Sequence, residues 1–166
     1  MVAEYWDILD KNGDFTGVRM KREPFNRFRN GQYHLVVHVW IKNSKGEFLI
    51  QRRSADRMPM PGEWAATGGS VHSGEGSREA AIRELQEELG IRVLENEIQY
   101  VHRFTRKNSF VDLWYVGVDA ALESLVLQEE EVQDAKWVTA EELKEMIENH
   151  QFHYYGKDYF EQIFSL

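Results

Sequence analysis

The stretch 69–91, GSVHSGEGSREAAIRELQEELGI, decides how this chain is read. Gly69 is followed after five residues by Glu75, after seven more by Arg83-Glu84-Leu85, then by Glu87-Glu88 and Gly90-Ile91. Ala80, Ala81, Leu85 and the Glu/Arg content favour a helix over about Ser77 to Leu89, and Gly90 supplies its stop. At about 100° per residue, Glu84, Glu87 and Glu88 fall on one stripe, and Ala81, Ile82, Leu85 and Leu89 on another. One face is expected to pack and the other to collect carboxylates.

Three carboxylates at i, i+3 and i+4 repel one another by a few tenths of a kcal/mol per pair, on the order of 0.2–0.5. Most Glu-rich helical faces are simply solvated. Hard divalent cations would also relieve the repulsion, and Mg²⁺ in particular binds through a few carboxylates plus substrate phosphates. The glycines of Thr67-Gly68-Gly69-Ser70, with Gly74 and Gly76, allow backbone to approach a ligand closely.

The spacing resembles the Nudix box, and every defined position of that box is filled. The resemblance implies a hydrolase that splits a diphosphate linkage with Mg²⁺, or Mn²⁺ as a substitute. It implies Glu84, Glu87 and Glu88 as metal ligands with catalytic roles, and the Gly69 carbonyl as a further ligand. Arg83 and Glu75 take a structural part, tying the loop to the helix.

The 166 residues are 42% apolar and 29% charged, as in one ordinary globular domain spanning 1–166. Neither a membrane-length apolar run nor a signal peptide is visible, so the cytoplasm is the default location. The chain has no cysteine, which removes disulfides and thiolate chemistry. A net charge of −8 argues against a nucleic acid polymer as partner, although local arginines can still receive a small phosphorylated molecule.

Along the chain, residues 5–18 read as two short strands around the turn 10–14, forming a hairpin extension within about 1–30. Those turn acids are structural, because the sixth position of a calcium loop would be Phe15 and the twelfth Lys21. YHLVVHVWI at 33–41 reads as a central strand covered on both faces. Further strands are expected over 47–53, 100–106, 111–119 and 135–138. C-terminal helices within about 140–166 follow, the first capped by Thr139 with Glu142. The order gives an α/β/α sandwich with a mixed sheet, which is also the Nudix fold.

The likeness extends from about 33 to 145, through Phe48-Leu49-Ile50-Gln51-Arg52-Arg53, Pro61-Gly62-Glu63-Trp64 and Trp137-Val138. It implies a further metal-binding or base-providing glutamate at Glu131, with Glu129 and Glu130 as alternatives. The N-terminal Trp6-Asp7-Ile8-Leu9-Asp10 is similar to the branch that includes isopentenyl-diphosphate isomerase. That isomerase needs a cysteine in the loop after the Trp of PG.W, where this chain has Ala65-Ala66-Thr67-Gly68-Gly69. Hydrolysis is therefore the expected reaction, with a non-catalytic nucleotide-binding module as the third reading.

Phosphates call for forked donors, and Arg52, Arg53 and Arg103 are the first candidates, with Arg57 and Arg106. Alternation allows only one of Arg52 and Arg53 to face a common pocket. His34 and His38 share a strand face but stand about 13 Å apart, too far to chelate one ion, so they are read with His72 as wall or packing residues. The aromatic C-terminal run is read as packing, ahead of a homodimer interface or a wall against a substrate base. The expected partner is a small-molecule diphosphate.

Overall fold

The computed structural model describes residues 2–166. The first elements are β1 (Tyr5–Leu9), β2 (Phe15–Lys21), β3 (His34–Lys42), β4 (Phe48–Arg53), β5 (Trp64–Ala65) and β6 (Thr67–Ser70). They are followed by α1 (Ser77–Leu89), β7 (Ile98–Thr105), β8 (Ser109–Gly117), β9 (Val132–Val138), α2 (Ala140–Glu148) and α3 (Lys157–Ile163). Strands β3 to β9 form one seven-stranded mixed sheet. At its centre β3 runs parallel to β8 and antiparallel to β4 and β6.

Alternation along β3 and β4 builds two layers. Val37, Val39, Ile41 and Leu49 face α1, packing on Ala80, Ala81, Leu85 and Leu89. Trp40, Phe48 and Ile50 face the opposite way, against Leu143, Met146, Phe152, Tyr159, Phe160 and Ile163 from the C-terminal region. Each such side chain contributes about 1.5–3 kcal/mol on burial, so both helical layers are fixed by the two-residue period of the strands. The C-terminal aromatics other than the exposed Tyr154 thus pack within this chain.

The bounds of α1 are those expected. Glu79 reaches back to the Gly76 N–H at 3.4 Å, and Gly90 closes the helix in the left-handed region at φ 70°. In α2, Thr139 and Glu142 make the reciprocal capping contacts. Two short strands, β5 and β6, occupy a stretch rich in small residues that carries almost no strand signal. Pairing with β3 through Val37 and Val39 makes β6 extended despite its glycines.

β1 and β2 form a separate two-stranded ribbon, tied to the start of β3 by reciprocal Leu9–Tyr33 backbone hydrogen bonds. Asp10 accepts from the Asn12 and Asp14 N–H groups, so the acidic turn is a local hydrogen-bonded turn, as expected. Asp7 accepts from Ser73 and from the Gly74 N–H, which clamps the ribbon to the loop before α1. Among the described residues, no helix is long and apolar enough to cross a membrane.

Candidate active site

The three helix glutamates do not share one environment. Glu84 and Glu88 border the apolar strip of α1, and its docking draws them underneath, leaving 6% and 2% of each exposed. Glu87 stays open, with 47% of its side chain exposed. The expected division into a packed face and a carboxylate face is therefore only partial, because residues four apart lie on the same edge of the packed strip.

Glu88 accepts from Gln51 Nε2 at 2.8 Å and from the Gly68 N–H at 3.3 Å. Burial, with Glu84 nearby, still holds its carboxyl well above the usual range, against the pull of Gln51. Burial raises Glu84 to about 7; Arg83 opposes the rise, while Glu87 and Glu131 add to it. The two buried carboxyls and Glu131 thus sense one another's charge, and a cluster of this kind suits a cation.

Arg83 supplies part of the compensation. Its guanidinium donates twice to Glu75, at 2.7 and 3.0 Å, and once to the Ser70 carbonyl at 3.1 Å. Through Nη1 it also reaches Glu84 at 2.8 Å and Glu87 at 3.1 Å. Loop and helix are joined by this fork. The glycines have a steric reason: a Cβ on Gly68 would overlap the Val37 carbonyl, and one on Gly69 would strike the Glu84 carboxylate.

Glu131 reaches the same region from the segment before β9. That segment is anchored on the end of α1, where the Val126 and Gln128 N–H groups donate to the Leu89 and Glu88 carbonyls. The Glu131 carboxylate lies 3.3 Å from Arg57 Nη2. Arg53, on the same face of β4 as Gln51, lies within electrostatic reach of Glu88, Glu131, Arg57 and Tyr155.

The other candidate arginines lie elsewhere. Arg52 projects from the opposite face of β4 and donates to the Gly62 carbonyl at 2.9 Å, so alternation selects Arg53. Arg103 is forked onto the buried Asp112 at 2.6 and 2.9 Å. Asp112 in turn accepts from Ser77, and Ser77 from the Trp114 indole, a network that engages Arg103 away from the carboxylates. Its placement corrects the expectation of a free phosphate donor.

Arg106 stacks over the Tyr155 ring at 5.6 Å. His34 is held against Trp6 and Phe28, and its pKa falls to about 4 through burial and then Arg22. His38 meets the Tyr159 hydroxyl at 2.7 Å, and burial first, with Arg106, His153 and Arg53, lowers it to about 3. Both are packing residues, as read. His72 lies 3.8 Å from Glu4.

Sequence reasoning missed Gln51, Thr67 and Tyr155. Gln51 had a signal, a polar residue on the buried alternation Leu49-Gln51-Arg53. Tyr155 had none, since a C-terminal turn carries it to Ala66, whose N–H donates to its hydroxyl at 3.2 Å.

Among the described residues, Gln51 Oε1, Thr67 Oγ1 and Arg57 Nε are buried without a hydrogen-bond partner. Buried polar atoms are ordinarily satisfied, so unpaired oxygens beside under-compensated carboxylates suit a hydrated hard cation. Among the described residues, no three carboxylate or imidazole side chains converge on one point, the Arg83 Nη1 lying between Glu84 and Glu87. The donor chemistry fits a divalent metal.

A mixed-sheet α/β fold bearing this loop, helix and carboxylate set defines a class, and comparison with known proteins agrees. A family model described as the NUDIX domain matches residues 32–158. An uncharacterized Nudix hydrolase of Listeria monocytogenes is 38% identical over 164 residues, covering 98% of this chain and 95% of its own. An isopentenyl-diphosphate Delta-isomerase of Salmonella heidelberg is 35% identical over 143 residues, 82% of this chain and 78% of that enzyme. A crystal structure from Deinococcus radiodurans shares the fold with a TM-score of 0.74 at 23% identity, over 90% of this chain and 91% of that one. The chain belongs to the Nudix hydrolase family, whose members act on pyrophosphate bonds in small-molecule substrates.

Proposed function

We propose that this protein hydrolyses the diphosphate linkage of a small molecule, a nucleoside diphosphate joined to another moiety, with Mg²⁺ held by Glu84, Glu87, Glu88 and the Gly69 carbonyl. The observation that carries the reading is the buried Glu84–Glu88 pair, two carboxyls drawn under the helix with Arg83, Gln51 and the Gly68 N–H as their hydrogen-bond partners. When bound, the metal would lower the pKa of a water and offset charge on the phosphate oxygens. Glu131 takes the proton from the attacking water, because it is partly open to solvent, whereas Glu84 is buried and would serve as a ligand. Arg53 and Arg57 receive the phosphates, and the unpaired Arg57 Nε supports that role. Arg83 ties Glu75 and the Ser70 carbonyl to the helix, which keeps the loop carrying Gly69 in fixed relation to the box carboxylates. The cytoplasm is the compartment we expect for it.

The likeness to the isomerase favours a second reading, proton transfer at carbon. Ala65 and Ala66 oppose it, since they follow Trp64 where that branch needs a thiol.

The test is release of monophosphates from nucleoside diphosphate sugars, nucleoside di- and triphosphates and dinucleotides, with Mg²⁺ or Mn²⁺. We expect turnover of at least one compound and its loss in Glu88→Gln with the circular dichroism spectrum unchanged. A panel inert with both metals, while isopentenyl diphosphate exchanges carbon-bound protons in heavy water, would establish the isomerase instead. Nucleotide binding with no turnover would mark a non-catalytic module.

A further inference from the structure

A second concave site lies on the opposite face of β4 from Gln51 and Arg53. It is a cavity of about 380 Å³ between the 62–64 turn, β9 and the segment after α2. Two cations line it, Arg52 and Lys136, and neither has a carboxylate within ion-pairing distance among the described residues. In a chain of net charge −8, two cations that share one concavity without a carboxylate partner make a local positive spot.

The rest of the lining points to the kind of ligand. Lys136 Nζ stands 4.5 Å from the Trp64 ring centroid, and Met146 and Phe152 add apolar surface. The cavity's one carboxylate, Glu63, is engaged by His153 at 2.8 Å. Arg52 donates through Nε to the Gly62 carbonyl, and among the described residues the rest of its guanidinium has no acceptor. A free guanidinium edge beside an ammonium matches a phosphate dianion better than a single carboxylate. The indole, with Lys136 over one of its faces, joins Met146 and Phe152 in an apolar wall for a planar group.

We propose that this cavity is a binding site for a small phosphomonoester carrying a planar group, separated from the box carboxylates by the sheet. The phosphate contacts Arg52 and Lys136, and the planar group lies against Trp64. Binding here does not depend on the reaction assigned to the carboxylates, so it survives or fails on its own.

The test uses phenyl phosphate, inorganic phosphate and benzoate as probes, titrated into ¹⁵N-labelled protein in EDTA so that no metal recruits phosphate to the box. The five tryptophans give separable indole signals, and Trp64→Phe assigns the relevant one. We expect phenyl phosphate to shift the Trp64 indole signal with saturation, and to bind more tightly than benzoate or inorganic phosphate. Arg52→Gln and Lys136→Gln should each weaken binding about tenfold or more, the scale of one charge-assisted contact. Arg53→Gln should leave the affinity unchanged. An unmoved Trp64 signal, equal binding of benzoate, or loss of binding in Arg53→Gln alone would overturn the assignment. Lys136→Glu gives an independent check, because reversing the charge at this half-buried position must abolish binding.

Discussion

Replacing Arg83 with alanine tests the electrostatic frame of the site most severely. The side chain makes five charge-assisted hydrogen bonds, and its removal strands Glu75, Glu84 and the Ser70 carbonyl. Glu87 is too exposed for its contact to count for much. Breaking a buried pair from one side costs roughly 3–5 kcal/mol. Glu84 softens that loss by taking up a proton, since its carboxyl already titrates near 7. A net loss of about 3 kcal/mol follows, and for a chain of this length it lowers Tm by roughly 6–12 °C. Thermal unfolding followed by circular dichroism at pH 7.5 in EDTA measures it. The pH dependence adds a signed check: Arg83 and the His72 N–H hold Glu75 below its ordinary 4.5 despite burial. Glu75 therefore contributes stability above about 4.5 that is lost as pH falls through its depressed value. The variant lacks most of that term, so the gap between the two proteins must narrow on acidification. A loss under about 1 kcal/mol, or a gap that widens in acid, would refute the reasoning.

Other substitutions probe separate parts of the account. Folded Glu84 titrates near 7 against an ordinary 4.5, so it costs stability increasingly between those values and fully above 7. Glu84→Gln should accordingly be more stable than the parent in EDTA at pH 8, by on the order of 1–3 kcal/mol in urea unfolding; lower stability would count against it. Gly69→Ala places a methyl into the Glu84 carboxylate. It should cost about 1–3 kcal/mol by the same assay, with activity reduced at least about 100-fold. A fully active variant would show that the Gly69–Glu84 contact is unimportant. Gly90→Ala meets both the left-handed φ of 70° and Val126, and should lower stability by about 1–3 kcal/mol; a neutral change would contradict the helix stop. Thr139→Ala removes one cap and should cost about 1 kcal/mol, measurable by the same unfolding curves.

Much of this architecture could be read before folding was considered. The α1 helix was legible because helix formers, a glycine stop and an apolar stripe all agreed over Ser77–Leu89. The central strand and both helical layers followed from the alternation in β3. β6 was not legible, because its glycines carry no strand preference and its extended form comes only from pairing with Val37 and Val39. The site was half legible. The spacing singled out the three helix glutamates as candidates, but not that two would be buried and one exposed, which depends on where the apolar strip docks. Alternation limited Arg52 and Arg53 to one inward residue without saying which, and the position of Gln51 beside Glu88 decides for Arg53. Arg103 looked free because its partner Asp112 lies on the neighbouring strand, a pairing with no local sequence mark.

The claim beneath all of this is that Glu84 and Glu88 stay buried and under-compensated because a divalent cation completes them. Titrating Mn²⁺ into the protein and following free ion by electron paramagnetic resonance measures that directly. The account predicts saturable binding in the parent, about tenfold or more weaker in Glu88→Gln and in Glu84→Gln, with Mg²⁺ competing for the same sites. Equal Mn²⁺ affinity in the parent and both variants, or no saturable binding, would contradict it.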